Sequence, residues 1–198
     1  GIYVSGSYAY VADGESGLQI IDVSNPSSPV LRGTYDTTGS AYGVYVSGNY
    51  AYVADGSSGL QIIDVSNPSS PVLRGTYDTP GSAYGIYVSG NYAYVADGSS
   101  GLQIIDVSNP TNPILRGTYT TGDANGVYVS GNYAYMVDGS SGLQIIDILN
   151  PAGPILKKSF STVGINYEVY VSGSYAYVTV GFEGLQITDV SNPMNPII

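Results

Sequence analysis

The chain has no cysteine, no histidine and no tryptophan, and only five of its 198 residues are lysine or arginine. Without cysteine there are no disulfides and no thiolate chemistry, and without cysteine or histidine the usual zinc sites are excluded. A Ser-His-Asp arrangement is impossible for the same reason. The five bases face fifteen acids, a formal net charge of −10. That argues against nucleic acid as a partner, because nothing here neutralises a phosphate backbone, and against an anionic membrane surface. Long apolar runs are also lacking. None approaches the ~20 residues of a membrane span, so no membrane insertion is expected. No signal peptide is visible, since Gly1 already lies inside a repeat, and the chain reads as a mature product or an excised piece. The lack of cysteine leaves the compartment open, because a core of this size needs no covalent staples.

What is present is repetition. "GNYAYVADGSSGLQIIDVSNP" runs from Gly48 to Pro68 and returns at Gly90 to Pro110. Homologous starts are Gly1, Gly43, Gly85, Gly126 and Glu168, spaced by 42, 42, 41 and 42 residues. The repeats are therefore 1–42, 43–84, 85–125, 126–167 and 168–198, the last truncated. The first two differ at four positions only: Ile2/Val44, Ser7/Asn49, Glu15/Ser57 and Thr38/Pro80. Later units are eroded, as in "DILNPAGPILKKSF" and "VTVGFEGLQITDV". A consensus design would keep its units uniform, so this decay favours a natural array with recent duplications.

Each unit holds four strand-like runs, "IYVSG", "YAYVAD", "LQIIDV" and "VLRGTYD", rich in Val, Ile, Leu and Tyr. The breaks are turn chemistry: "SGN", "DGSSG", "SNPSSP" and "TTGSAY". In "LQIIDV", Leu18 and Ile20 face one way and Ile21 and Val23 the other. A strand that is apolar on both faces belongs in a sheet packed between two neighbours. Four short antiparallel strands per ~42 residues is the blade of a β-propeller. The expected fold is all-β, a propeller of five blades with four strands each. Its first strands line a central channel and its fourth strands form the rim. An open β-solenoid is the alternative, but its coil is usually shorter and needs no three tight hairpins. The chain ends within an outer strand at "NPII", so no strand is left over to complete a neighbouring blade. Closure would rest on packing between blades five and one, giving a five-bladed monomer. Otherwise the chain is cut from a longer array, or a partner covers its blunt end.

The words "YAYVADGSSGLQIIDVSNP" resemble the LVIVD-repeat family across essentially the whole chain. Unit five departs from the pattern, with "VTVGFEG" for "VADGSSG" and Thr188 for the second Ile. The resemblance implies β-propeller modules of bacterial and archaeal surface and secreted proteins, hence a secreted or cell-surface location.

Three residue sets are candidates for function. Asp13, Asp55, Asp97 and Asp138 precede Gly between the second and third strands, with Val180 in unit five. They read either as an acidic, cation-binding or lectin-like rim, or as turn residues, with Asp tolerating the geometry and Gly supplying φ > 0. They lack the D-x-D-x-D-G series of a Ca²⁺ loop, so no cofactor is expected and Ca²⁺ has no motif to support it. Asp22, Asp64, Asp106, Asp147 and Asp189 close every third strand, and their repetition points to structure: each can accept N–H bonds from the turn that follows. Among 21 tyrosines, Tyr3, Tyr45, Tyr87, Tyr128 and Tyr170 share one position on the inner strands, and Tyr8 and Tyr10 read as packing between blades. Tyr42, Tyr84 and Tyr167 end the inter-blade loops at the channel mouth, with Asn125 in the fourth place. Exposed Tyr beside amides and acids suits sugar stacking or protein contact.

Glycosidase-type catalysis needs two carboxylates in different environments. Near-identical blades repeat one environment, and only Glu15, Glu168, Glu183 and Asp123 break the repetition. The expectation is a non-catalytic module that binds protein or polysaccharide through the Tyr/Asp face. The alternative is a structural element without a small ligand that self-associates through blade edges.

Overall fold

The computed structural model describes residues 1–139, 141–162 and 164–197. Blade one comprises β1 (Ile2–Ser5), β2 (Tyr8–Ala12), β3 (Leu18–Asp22) and β4 (Val30–Tyr35). Blade two comprises β5 (Gly43–Ser47), β6 (Tyr50–Ala54), β7 (Leu60–Asp64) and β8 (Val72–Tyr77). Blade three runs through β9 (Gly85–Ser89), β10 (Tyr92–Ala96), β11 (Leu102–Asp106) and β12 (Ile114–Tyr119). Blade four follows with β13 (Ala124–Ser130), β14 (Tyr133–Asp138), β15 (Gly142–Asp147) and β16 (Ile155–Phe160). Blade five has β17 (Asn166–Ser172), β18 (Tyr175–Val180) and β19 (Gly184–Asp189). Within each sheet the strands lie in chain order and pair antiparallel. The chain is thus an all-β, five-bladed β-propeller, its blades set in a ring around a channel lined by the first strands.

Blades one to four have four strands and blade five has three. Where a fourth strand would sit, Ile197 alone bridges Asp189, through N–H···O bonds of 2.7 and 3.0 Å. Ile197 takes the place of Val30, the first residue of β4, which pairs with Asp22 in blade one. Ile198, the end of the expected outer strand, lies outside the described residues.

The core is built between blades, as the two-faced strands require. Leu18 and Ile20 of blade one pack on Ile63 and Val65 of blade two, so the opposite facing of the two pairs within "LQIIDV" is what the sheet uses. Equivalent clusters join blades two and three, three and four, and four and five. Tyr10, Tyr52, Tyr94 and Tyr135 are buried in them, which fits the packing role read for the second strands. Neighbouring blades also touch at the rim. A Cβ on Gly75 would stand 2.3 Å from the Pro110 carbonyl, so only glycine lets the outer strand pass under the next blade's proline loop.

The expected packing of blade five on blade one is not found among the described residues. Ile2 and Val4 of blade one and Leu185 and Ile187 of blade five remain exposed, leaving an open seam. Glu168 lies at the seam. Its counterparts Gly43, Gly85 and Gly126 lie on inner strands where a Cβ would come within 2.9–3.4 Å of the Cα of the next unit's first residue, the position that Gly1 has in blade one. A glutamate at that place holds another blade off.

Candidate functional site

The channel is walled by one tyrosine from each blade. The rings of Tyr3, Tyr45, Tyr87, Tyr128 and Tyr170 form a ladder with successive centroids 4.6, 4.7, 4.6 and 5.1 Å apart. Strand pairing fixes their height, since each lies opposite a tyrosine of its second strand, as in Tyr3↔Tyr10 and Tyr45↔Tyr52. Burial pushes the Tyr45 and Tyr87 hydroxyls above the ordinary phenol value. Tyr128 is pushed up to about 12, by burial first and then by its bond with Tyr87. Tyr45, Tyr87 and Tyr128 therefore stay neutral, presenting apolar ring faces and uncharged hydroxyls.

The mouth residues are where the loops were expected to place them. Tyr42, Tyr84, Asn125 and Tyr167 all line the same cavity, whose volume is about 970 Å³. Tyr42 and Tyr84 meet edge to face at 5.2 Å, and Tyr42 and Tyr167 are exposed. Asn125 bends inward instead, its Nδ2 donating to the Asn166 carbonyl at 2.9 Å. The cavity also runs sideways into the seam, taking in Tyr177, Thr179 and Leu185, and Glu168 is the one acid among its lining residues.

The Asp-Gly residues belong to a different structure. Asp55, Asp97 and Asp138 are buried, so they form no acidic rim. The Asp55 carboxylate accepts from Thr37 Oγ1 at 2.6 Å and from the Gly39 N–H at 2.8 Å. Asp97 holds Thr79 and Gly81 with the same two distances. Asp138 accepts from the Gly122 N–H at 3.3 Å and from Gln144 Nε2 at 3.0 Å. Each carboxylate thus fastens the loop arriving from the preceding blade, and Gly14 and Gly56 pair with Ala41 and Ala83 to hold the loop leaving their own. Burial raises the pKa of Asp55 and Asp97, and the Thr and Gly donors pull it back down. The glycines do supply positive φ, for example 57° at Gly14 and 54° at Gly56. The turn reading is correct as far as it goes, but the carboxylate is a staple between blades. Asp13 of blade one is exposed. In blade five, Asn166 replaces the missing acid: it accepts from Thr162 Oγ1 at 2.8 Å and donates to the Gly139 carbonyl at 2.8 Å. No group of three or more acids gathers as a metal site among the described residues.

A model of the LVIVD repeat matches residues 1–37, 38–79, 80–121, 122–162 and 164–198. The chain belongs to the LVIVD repeat family. None of the curated proteins matches this LVIVD chain. Among solved structures it is similar to a functionally unknown protein from Desulfotomaculum acetoxidans DSM 771, at 16% identity and a TM-score of 0.79, covering 95% of this chain and 64% of that one. It is also similar to the computationally designed Ika8 protein, at 6% identity and a TM-score of 0.74, covering 96% of this chain and 58% of that one. A chain in a nidogen/laminin complex matches at 15% identity and a TM-score of 0.70, covering 96% and 75%. At these identities the likeness concerns the fold alone. The LVIVD chain spans less than two thirds of the first two relatives.

The aspartates that close the third strands sit on the opposite side of the LVIVD blades. Asp22, Asp64 and Asp106 each accept the N–H of the residue two places on at 2.9 Å, as their repetition implied. Their second partner was not foreseen. The outer strand carries a bulge at Arg32, Arg74, Arg116 and Lys157, which swings that base onto the aspartate at 2.7–3.0 Å. The signal was in the sequence, as a base ten residues after each of these acids. Ser24 and Ser66 hydroxyls first, with Arg32 and Arg74 adding, lower Asp22 and Asp64 from 3.8 to about 2. A depressed folded pKa contributes stability above the unfolded value and loses it as pH falls towards the folded one. Melting temperature should therefore fall between pH ~4 and ~2, while Asp55 and Asp97, raised by burial, give the opposite trend above pH ~4. Because these pairs are exposed, salt should remove the arginine share and leave the serine share. Thermal melts across that range at low and high salt check this, and a flat profile would contradict it.

Proposed function

We propose that this chain is a non-catalytic binding module, secreted or at the cell surface, that takes neutral polysaccharide at the tyrosine-lined channel mouth. The observation that carries this is the Tyr42–Tyr84 pair over a cavity of about 970 Å³ walled by five tyrosines. Aromatic faces beside hydroxyls and an amide suit sugar rings, and a site of this size holds a short oligosaccharide segment. A protein presenting an extended segment is the second partner class, and the same mouth would receive it. The lack of catalysis is supported by where the acids lie. Asp55 and Asp97 are spent on staples outside the channel, which leaves Glu168 without a second lining carboxylate. The surface location rests on the family resemblance and on a surface rich in Ser, Gly, Asn and Tyr with few charged residues.

Titration calorimetry with a panel of neutral oligosaccharides tests the reading. Binding is expected, and Tyr42→Ala with Tyr84→Ala should weaken it by about 30-fold or more, as for aromatic anchors elsewhere. The half-exposed Tyr42 should be replaceable with little change in melting temperature. No binding across the panel, or binding indifferent to both tyrosines, would sink the proposal.

A further inference from the structure

Four times in this molecule the trailing face of one blade meets the leading face of the next. The trailing half is Tyr10, Leu18 and Ile20 in blade one, and the leading half is Val44, Val46, Val53, Ile63 and Val65 in blade two. The same positions recur at the other three junctions. At the seam both halves are present and neither is covered. Blade one offers Ile2 at 67% and Val4 at 59% exposure, where Val44 and Val46 of blade two have 7% and 6%. Blade five offers Leu185 at 58% and Ile187 at 49%, where Leu102 and Ile104 have 0%. Apolar groups gathered this way on a folded surface mark an interaction site.

We propose that the open seam docks a second copy of this chain head to tail, the trailing face of blade five on the leading face of its neighbour's blade one. The occupant follows from the interface itself: each exposed face is one half of a contact the chain already builds four times, and its complement is the other exposed face. A face of blade one does not complement another blade one. The contact is therefore heterologous, and further copies add in the same sense until they close. The strand edges at the rim take no part; the flat faces of the two end blades do.

Two residues weaken this contact relative to the internal ones. Glu168 replaces the glycine of this inner-strand position, where a Cβ at Gly126 would already lie 3.1 Å from the Cα of the next unit's first residue, the place Gly1 of the docked copy would take. Thr179 replaces the alanine found at Ala12, Ala54 and Ala96, and its Oγ1 accepts the Glu168 N–H at 2.9 Å. Tyr177, Leu185 and Ile187 keep the repeat's identity. The association is therefore concentration-dependent, and restoring the repeat at the other two positions strengthens it.

Analytical ultracentrifugation of the 198-residue chain over a range of concentrations reads this directly. The expected result is a mass above one chain at high concentration that falls on dilution. The leading-face variant Ile2→Asp/Val4→Asp and the trailing-face variant Leu185→Asp/Ile187→Asp should each be monomeric. Mixed together they should form a one-to-one dimer through the face each retains. Glu168→Gly/Thr179→Ala should tighten self-association by at least ~10-fold, an effect general stickiness would not produce. All these positions are exposed, so circular dichroism should show unchanged folding. A chain monomeric at every concentration overturns the proposal. So does association that survives in either single-face variant, or a restored variant no tighter than the parent. The readout is mass, so the glycan reading can fail or hold separately.

Discussion

Leu102→Ala is expected to destabilise the chain by about 2–5 kcal/mol, while Leu185→Ala shifts it by less than ~0.5 kcal/mol. The two leucines occupy the same place in "GLQI" of units three and five. Leu102 is fully buried between blades three and four, so truncation opens a cavity that flanking sheets cannot fill. Leu185 lies at the seam, largely in water, and its truncation removes little buried surface. Denaturant unfolding of the two variants at low protein concentration separates them. Equal losses would mean that the seam is packed in solution.

Asp97→Ala should cost about 2–4 kcal/mol, although the residue removed is an acid whose burial already disfavours its charge. The loss falls on the partners: the Thr79 hydroxyl and the Gly81 N–H are left at a buried junction between two blades with nothing to bond. Asp13→Ala removes the equivalent residue of blade one, which is exposed, and should change stability by less than ~0.5 kcal/mol. Melting temperatures of the two variants suffice. A silent Asp97→Ala would mean that water replaces the carboxylate and that the loops are held by strand packing alone.

The blades were legible because their signals are local. Alternating apolar residues, Asp-Gly turns and proline loops act within one unit of about 42 residues, and five copies of one pattern averaged out the noise. Strand order, inner and outer strands and the facing of Leu18 against Ile21 all follow from such signals. What escaped was whatever depends on the neighbouring blade. The tie from Asp55 to Thr37 crosses from one unit into the one before it, and spacing along the chain does not show which way a carboxylate points. The Arg32 bulge is a backbone event that places a base on Asp22; the repeat shows the base ten residues after the acid but not the bulge that turns it inward. The mouth tyrosines were found because position in the repeat maps directly onto height in the channel. Closure of the ring stayed open between alternatives because it is set by an angle between blades, to which every residue contributes a little and none announces it. Glu168 was the clue at hand, a single charged side chain where the other units have glycine.

The open seam bears on how such a chain changes over generations. In a closed ring, gaining or losing a unit forces every junction to a new angle. Here each blade answers only to the blade before and the blade after it, through one recurring contact. A duplication that inserts one more unit leaves the existing junctions untouched, and a deletion removes one without disturbing the rest. Units one and two differ at four positions only, so a copied unit meets junction partners nearly identical to those of its parent.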